Sequence, residues 1–87
     1  MKKIFKYPLH VTDHQAVPMP FNANIVSAGL DAYGQLCVWA IVETTAESKP
    51  VHIRIVGTGN PMPEVPMLFI DTVVMGSFVW HVFEEIK

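Results

Sequence analysis

The apolar segments of this sequence contain very few ionisable side chains: His52, Arg54, Asp71 and His81. Burying an unpaired charge is costly, so each of them must face solvent, a counter-ion or a ligand. For Arg54 the plain reading is solvent exposure or an ion pair with Asp71. The chemical reading is a guanidinium fork closing on a phosphate or carboxylate, with His81 donating beside it. Arg54 runs directly into Gly57-Thr58-Gly59-Asn60-Pro61. That stretch lacks the Lys-Ser/Thr of a Walker loop and the three glycines of a dinucleotide fingerprint. Pro61, Pro63 and Pro66 also forbid the helix whose amino terminus would bind the phosphate. What survives is an anion nest of successive N–H groups at Gly57 and Gly59, with Thr58 and Asn60 adding donors. The preferred alternative is a strand exit and turn, stiffened by the prolines. Rings that could stack a base are Trp39, Trp80, Phe83, Phe69 and Tyr33, although aromatic residues in such segments usually fill a core.

Other chemistries find less support. Trp80-His81-Val82-Phe83-Glu84-Glu85 brings an indole, an imidazole, a phenyl ring and two carboxylates together, but consecutive side chains of a strand point to opposite faces, so Glu84 and Glu85 do not form an acid–base pair. Their plain reading is a solvated chain end. His10 and His14 have i, i+4 spacing without a third ligand nearby, and no metal site is expected. Cys37 lies in the apolar run LCVWAIV with no basic neighbour to lower its pKa, which marks it as packing. No catalytic residues, cofactor or metal are assigned, and the chain is not expected to be an enzyme.

The elements that position these residues read as strands. Seven prolines and five glycines divide segments rich in Val, Ile, Phe, Trp, Tyr and Thr, which suit a pleated surface. Strands are expected near 3–9, 23–30, 35–44, 50–57, 67–75 and 77–85. A short helical turn is allowed only around Asp13–Val17 or Pro63–Pro66. Gly29–Gly34 and Gly76-Ser77 read as hairpin turns, and residues 43–50, ETTAESKP, as an exposed connection. In the third of these strands Leu36, Val38, Ala40 and Val42 alternate with Cys37, Trp39 and Ile41, so both faces are apolar. In the last, Phe78, Trp80 and Val82 oppose Val79, His81 and Phe83. The expected fold is all-β, a compact antiparallel sandwich or small barrel of about six strands, in a single domain spanning residues 1–87.

Bulk composition narrows the partners. Hydrophobic residues make up 51% and charged residues 16% of 87 residues, and mean hydropathy is +0.32. That is more apolar than a small soluble monomer needs, so a homo-oligomer or a covered ligand face is expected. A net charge of -2, with the six Lys and Arg scattered, gives no footprint for a nucleic-acid polymer. One cysteine permits no intrachain disulfide, which fits a reducing cytoplasm. The amino end MKKIFKYPLH has no apolar core of a signal peptide, and no run approaches the roughly 20 apolar residues of a membrane span, so neither export nor anchoring is expected.

The order of several pieces resembles a family of short uncharacterised bacteriophage proteins. They are Ile4-Phe5-Lys6-Tyr7 with Leu9, Thr12-Asp13-His14-Gln15, Met19-Pro20, Ala23, Ile25, Leu36-Cys37-Val38-Trp39-Ala40, Gly57-Thr58-Gly59 with Pro61, and His81-Val82-Phe83-Glu84. The resemblance implies a small phage accessory protein acting in the cytoplasm of the bacterial host, a class that includes counter-defence proteins. The expected function is sequestration, without catalysis, of a nucleotide-derived signal such as a cyclic ADP-ribose-like molecule or cyclic nucleotide. Arg54, Gly57, Thr58, Gly59 and Asn60 would meet phosphates, and Trp39, Trp80, His81 and Phe83 the base. The alternatives are a protein-binding inhibitor of a host defence enzyme and a structural phage component.

Overall fold

The computed structural model describes residues 1–86. Seven antiparallel strands form two sheets: β1 (Lys2–Pro8), β2 (His14–Pro20), β3 (Asn24–Leu30), β4 (Leu36–Glu43), β5 (Ser48–Gly57), β6 (Met67–Met75) and β7 (Phe78–Glu85). One sheet has the order β1-β4-β3, the other β2-β5-β7-β6. They pack as a flattened sandwich 40 × 32 × 16 Å in extent. Alternation decides what lies between them. Leu36, Val38, Ala40 and Val42 from β4 meet Ile53 and Ile55 from β5, Val73 from β6 and Val82 from β7 in one core, with Leu9 and Met19 also buried.

Six strands match the expected positions closely, and the all-β sandwich stands. The strand count is corrected from six to seven, because Asp13–Val17 is not a helical turn but leads into β2. Its prolines are tolerated because β2 is an edge strand, paired on one side only, with β5. Pro18 faces Pro50, so two residues lacking an N–H meet at one rung, while Val17 and Met19 point into the core. Residues 63–66 form no helix either, and among the described residues no helix is long and apolar enough to cross a membrane. The expected turns are present: Asp31–Gln35 joins β3 to β4, and Gly76-Ser77 joins β6 to β7 with Gly76 at φ 61°. The 43–50 connection is shorter than expected, since β5 already begins at Ser48.

At one corner the sheets are stapled together. β3 carries an irregularity between Ile25 and Ser27, and β6 one between Phe69 and Asp71. The bulge in β6 lets the Asp71 carboxylate reach across and accept a hydrogen bond from the Ala28 N–H, 3.3 Å away. An edge donor of β3 is thereby satisfied, which blunts that edge against pairing with another chain.

Candidate functional site

The question raised by Gly57-Thr58-Gly59-Asn60 is answered by its hydrogen bonds. The Asn60 N–H donates to the Gly57 carbonyl at 3.0 Å, and Gly59 has φ 89°. A positive φ at the third position alone is the signature of a type II turn, which needs glycine there. Thr58 N–H is engaged as well, donating to the Val79 carbonyl at 3.2 Å. The loop therefore turns the chain, and the N–H groups of Thr58 and Asn60 are taken up by the carbonyls of Val79 and Gly57. Gly57 is required by close approach: a Cβ there would lie 2.9 Å from Asn60 Nδ2 and 3.1 Å from the Trp80 ring. Asn60 and the indole are thus packing partners of this glycine.

The polar side chains gather one layer away, on the outer face of β2-β5-β7-β6. Register places His14 opposite Arg54, Arg54 opposite Phe83, Phe83 opposite Phe69, Val56 opposite His81, and His81 opposite Thr72. Since Ile53, Ile55, Val73 and Val82 point inward, these side chains point outward. His81 is held at both ring nitrogens, Nε2 by the Thr58 hydroxyl at 2.7 Å and Nδ1 by the Thr72 hydroxyl at 3.0 Å. His14 Nε2 and His52 Nδ1 share a hydrogen bond of 3.0 Å. The Phe69 and Phe83 rings meet edge to face, their centroids 5.6 Å apart.

Arg54 is ion-paired, but with a different carboxylate from the one expected. Its Nε donates to Glu85 Oε2 at 3.0 Å, and His14 Nε2 lies 3.7 Å from the same oxygen. Asp71 is instead occupied by Ala28 across the sandwich. The reading of Glu84 and Glu85 as a solvated end is likewise corrected: Glu85 belongs to the Arg54 cluster, and Glu84 is half-buried on the inner side. The pairing was legible in part, because His81, Phe83 and Glu85 alternate onto one face. Strand β2, which supplies His14, was hidden by its prolines.

The predicted residues fall into three groups. Arg54, His81 and Phe83 come together on the sheet face, joined there by Thr58 through its bond to His81. Gly57, Thr58, Asn60 and Trp80 line a shallow cleft of about 340 Å³, and Arg54 and Asn60 line another of about 460 Å³ with Asp13 and Met62. Gly59 sits at the turn between them. Trp39 is separated from both groups, because it lies on β4 and points to the outer face of the other sheet, packed by Gly29. Trp80 is an inward-facing side chain that packs against the core, with Phe78 stacked on it at 5.4 Å. Its Nε1 is buried with no hydrogen-bond partner among the described residues. Neither indole presents a ring to a base on the Arg54 face, and the exposed ring there is Phe69.

Cys37 is fully buried, and burial pushes its thiol up from the ordinary value, in keeping with a packing role. Among the described residues no group of three His, Cys, Asp or Glu is arranged to hold a metal ion. The hydrogen-bond partner of the His14 ring is His52. A family model, domain of unknown function DUF7352, matches residues 1–87 from end to end. The chain belongs to this family. No curated protein and no solved structure matches it.

Proposed function

We propose that this DUF7352 chain is a small phage accessory protein that sequesters a nucleotide-derived signal of bacterial immunity without catalysis. The observation that carries the reading is the placement of Arg54 and His81 beside the Phe69–Phe83 pair on one sheet face. A base can stack on an exposed ring, while the guanidinium answers phosphate oxygens and His81, bonded at both ring nitrogens, fixes the Thr58 and Thr72 hydroxyls beside it. Glu85 engages Nε of Arg54 and fixes the orientation of the fork. The clefts of one chain are shallow, so a second copy laid on this face would supply the opposing wall; Phe69 and Val74, 60% and 65% exposed, give it apolar surface to cover. Mass action then depletes the free signal with no bond made or broken.

The test is a thermal-shift panel of cyclic nucleotides and cyclic ADP-ribose relatives, followed by mass spectrometry of the ligand released on denaturation. A ligand at 100 times its Kd should raise the melting temperature by on the order of 10 °C, and it should be recovered intact. Arg54→Ala combined with His81→Ala should abolish the shift. No shift with any nucleotide would defeat the reading, and recovery of an altered ligand would replace it with an enzymatic one. A second reading, a protein-binding inhibitor of a host defence enzyme, draws on the absence of lysine from this face among the described residues, together with its exposed Phe69, a composition typical of interface cores. It leaves melting unchanged by nucleotides.

A further inference from the structure

The inward-facing residues of β7 are Phe78, Trp80, Val82 and Glu84, so alternation sends Glu84 toward the open end of the sandwich, opposite Ile53 of β5 and Leu68 of β6. Its neighbour Glu85 turns to the outer face and binds Arg54. Glu84 has no hydrogen bond or ion pair with any described residue, although it is half-buried. A carboxylate removed from water without a counter-charge is an uncompensated group.

Glu84 lines a groove of about 420 Å³ whose walls include Phe21, Val51, Leu68 and Ile86. Phe21 and Leu68 are more than half exposed, which leaves apolar surface open on the groove. Two basic residues also line it, but each has a partner. Lys49 lies 3.6 Å from Glu47, and His52 is bonded to His14. Glu85, which also borders it, is paired with Arg54, so the unanswered charge of the groove is that of Glu84, with Phe21, Val51, Leu68 and Ile86 around it.

We propose that this groove docks an arginine-bearing segment of a partner protein, the guanidinium on Glu84 and the flanking apolar side chains on Phe21 and Leu68. A planar fork matches a carboxylate and stacks on a ring, and a long aliphatic stem can run along apolar walls while its head reaches the charge. Glu85 and His52 border the groove from the outer side, but the proposal uses the inner-facing Glu84 and neither Arg54, His81 nor Phe83, so it does not depend on the nucleotide reading. Burial pushes the Glu84 carboxyl above its ordinary range. A bound guanidinium favours the anion, so docking should strengthen as pH rises through that raised range.

The probe is a fluorescently labelled, amidated Leu-Arg-Phe peptide, titrated with the full chain and followed by anisotropy. Saturable binding at pH 7 is expected, weakening at least about tenfold with Glu84→Gln and with citrulline in place of arginine. Binding should also weaken between pH 7 and pH 4. The melting curve of Glu84→Gln checks that the variant is folded, and an excess of nucleotide should not displace the peptide. Absence of saturable binding, or equal affinity of the Glu84→Gln chain or of the citrulline peptide, overturns the proposal.

Discussion

On the outer face of the three-stranded sheet, Lys6 Nζ meets Asp31 Oδ2 at 2.9 Å, and the other carboxylate oxygen accepts the N–H groups of Tyr33 and Gln35 at 2.9 and 3.0 Å. On the outer face of the four-stranded sheet, Arg54 meets Glu85 at the same kind of distance, and His81 sits between two threonine hydroxyls. The charges differ in what they hold. Asp31 closes a hairpin: one oxygen accepts backbone N–H groups of its own loop and the other ties that loop to Lys6 of β1, so its work is local structure. Arg54, Glu85, His14, His81 and Thr72 come from four different strands, and their side chains meet other side chains: Arg54 and His14 at Glu85, His14 at His52, and His81 at Thr58 and Thr72. Contacts on this face therefore run from side chain to side chain across strands, beside the exposed Phe69 ring, where those of Asp31 brace a loop.

Gly57→Val is expected to give the largest effect, because it strikes the junction that supports the second face. The new Cβ would collide with Asn60 and the Trp80 ring, and overpacking of this kind costs about 1–3 kcal/mol. Chemical denaturation should show the loss. A variant as stable as the parent would mean that the loop moves freely and does not brace Thr58 against His81.

Asp31→Asn tests the first face by pH. Its hydrogen bond to Lys6, together with those from the Gln35 and Tyr33 N–H groups, lowers the Asp31 carboxyl from 3.8 to about 2. A depressed pKa stabilises the fold fully above the ordinary value and loses that contribution as pH falls toward about 2. The parent should be more stable than Asp31→Asn at pH 7, with the gap closing across that acid window in urea melts. Glu84→Gln should show the opposite sense. Its carboxyl is raised by burial, so the parent loses stability as pH climbs above 4.5. The glutamine variant should match the parent in acid and exceed it at neutral pH. A flat difference in either case would mean that the surroundings of that carboxylate are not as described.

How far all this was legible follows from where the information resides. Period-two alternation in β4 and β7 declared two apolar faces, and glycine and proline placed the turns, so six strands and the sandwich were readable from neighbouring residues alone. β2 was not, because Pro18 and Pro20 argue against a strand until an edge position opposite Pro50 makes them harmless. Arg54, His81 and Phe83 could be picked out as polar or aromatic residues in strands. The partner of Arg54 could not, since choosing Glu85 over Asp71 depends on β5 lying beside β7 and on the bulge that swings Asp71 toward Ala28. Trp39 was misplaced for the same reason: its type suits a site, but its strand belongs to the other sheet.

The smallest expected effect on stability is also the one that separates the two faces most sharply. Lys2 and Lys6 both point outward on the three-stranded sheet, whereas among the described residues no lysine points outward on the four-stranded one. Lysine is common on solvated faces and depleted from interface cores. Val74 is 65% exposed, and its outward position follows from the buried Val73 beside it. Val74→Lys removes little packing and should alter unfolding free energy by no more than about 0.5 kcal/mol. If the four-stranded face is where a second copy lies, the same change places an ammonium inside the contact, where desolvating it is unfavourable, and self-association measured by sedimentation velocity should weaken. Equal sedimentation of parent and variant across micromolar concentrations would mean that Val74 faces water in the working protein as it does in the single chain. The proposed nucleotide site would then have to be complete within one chain.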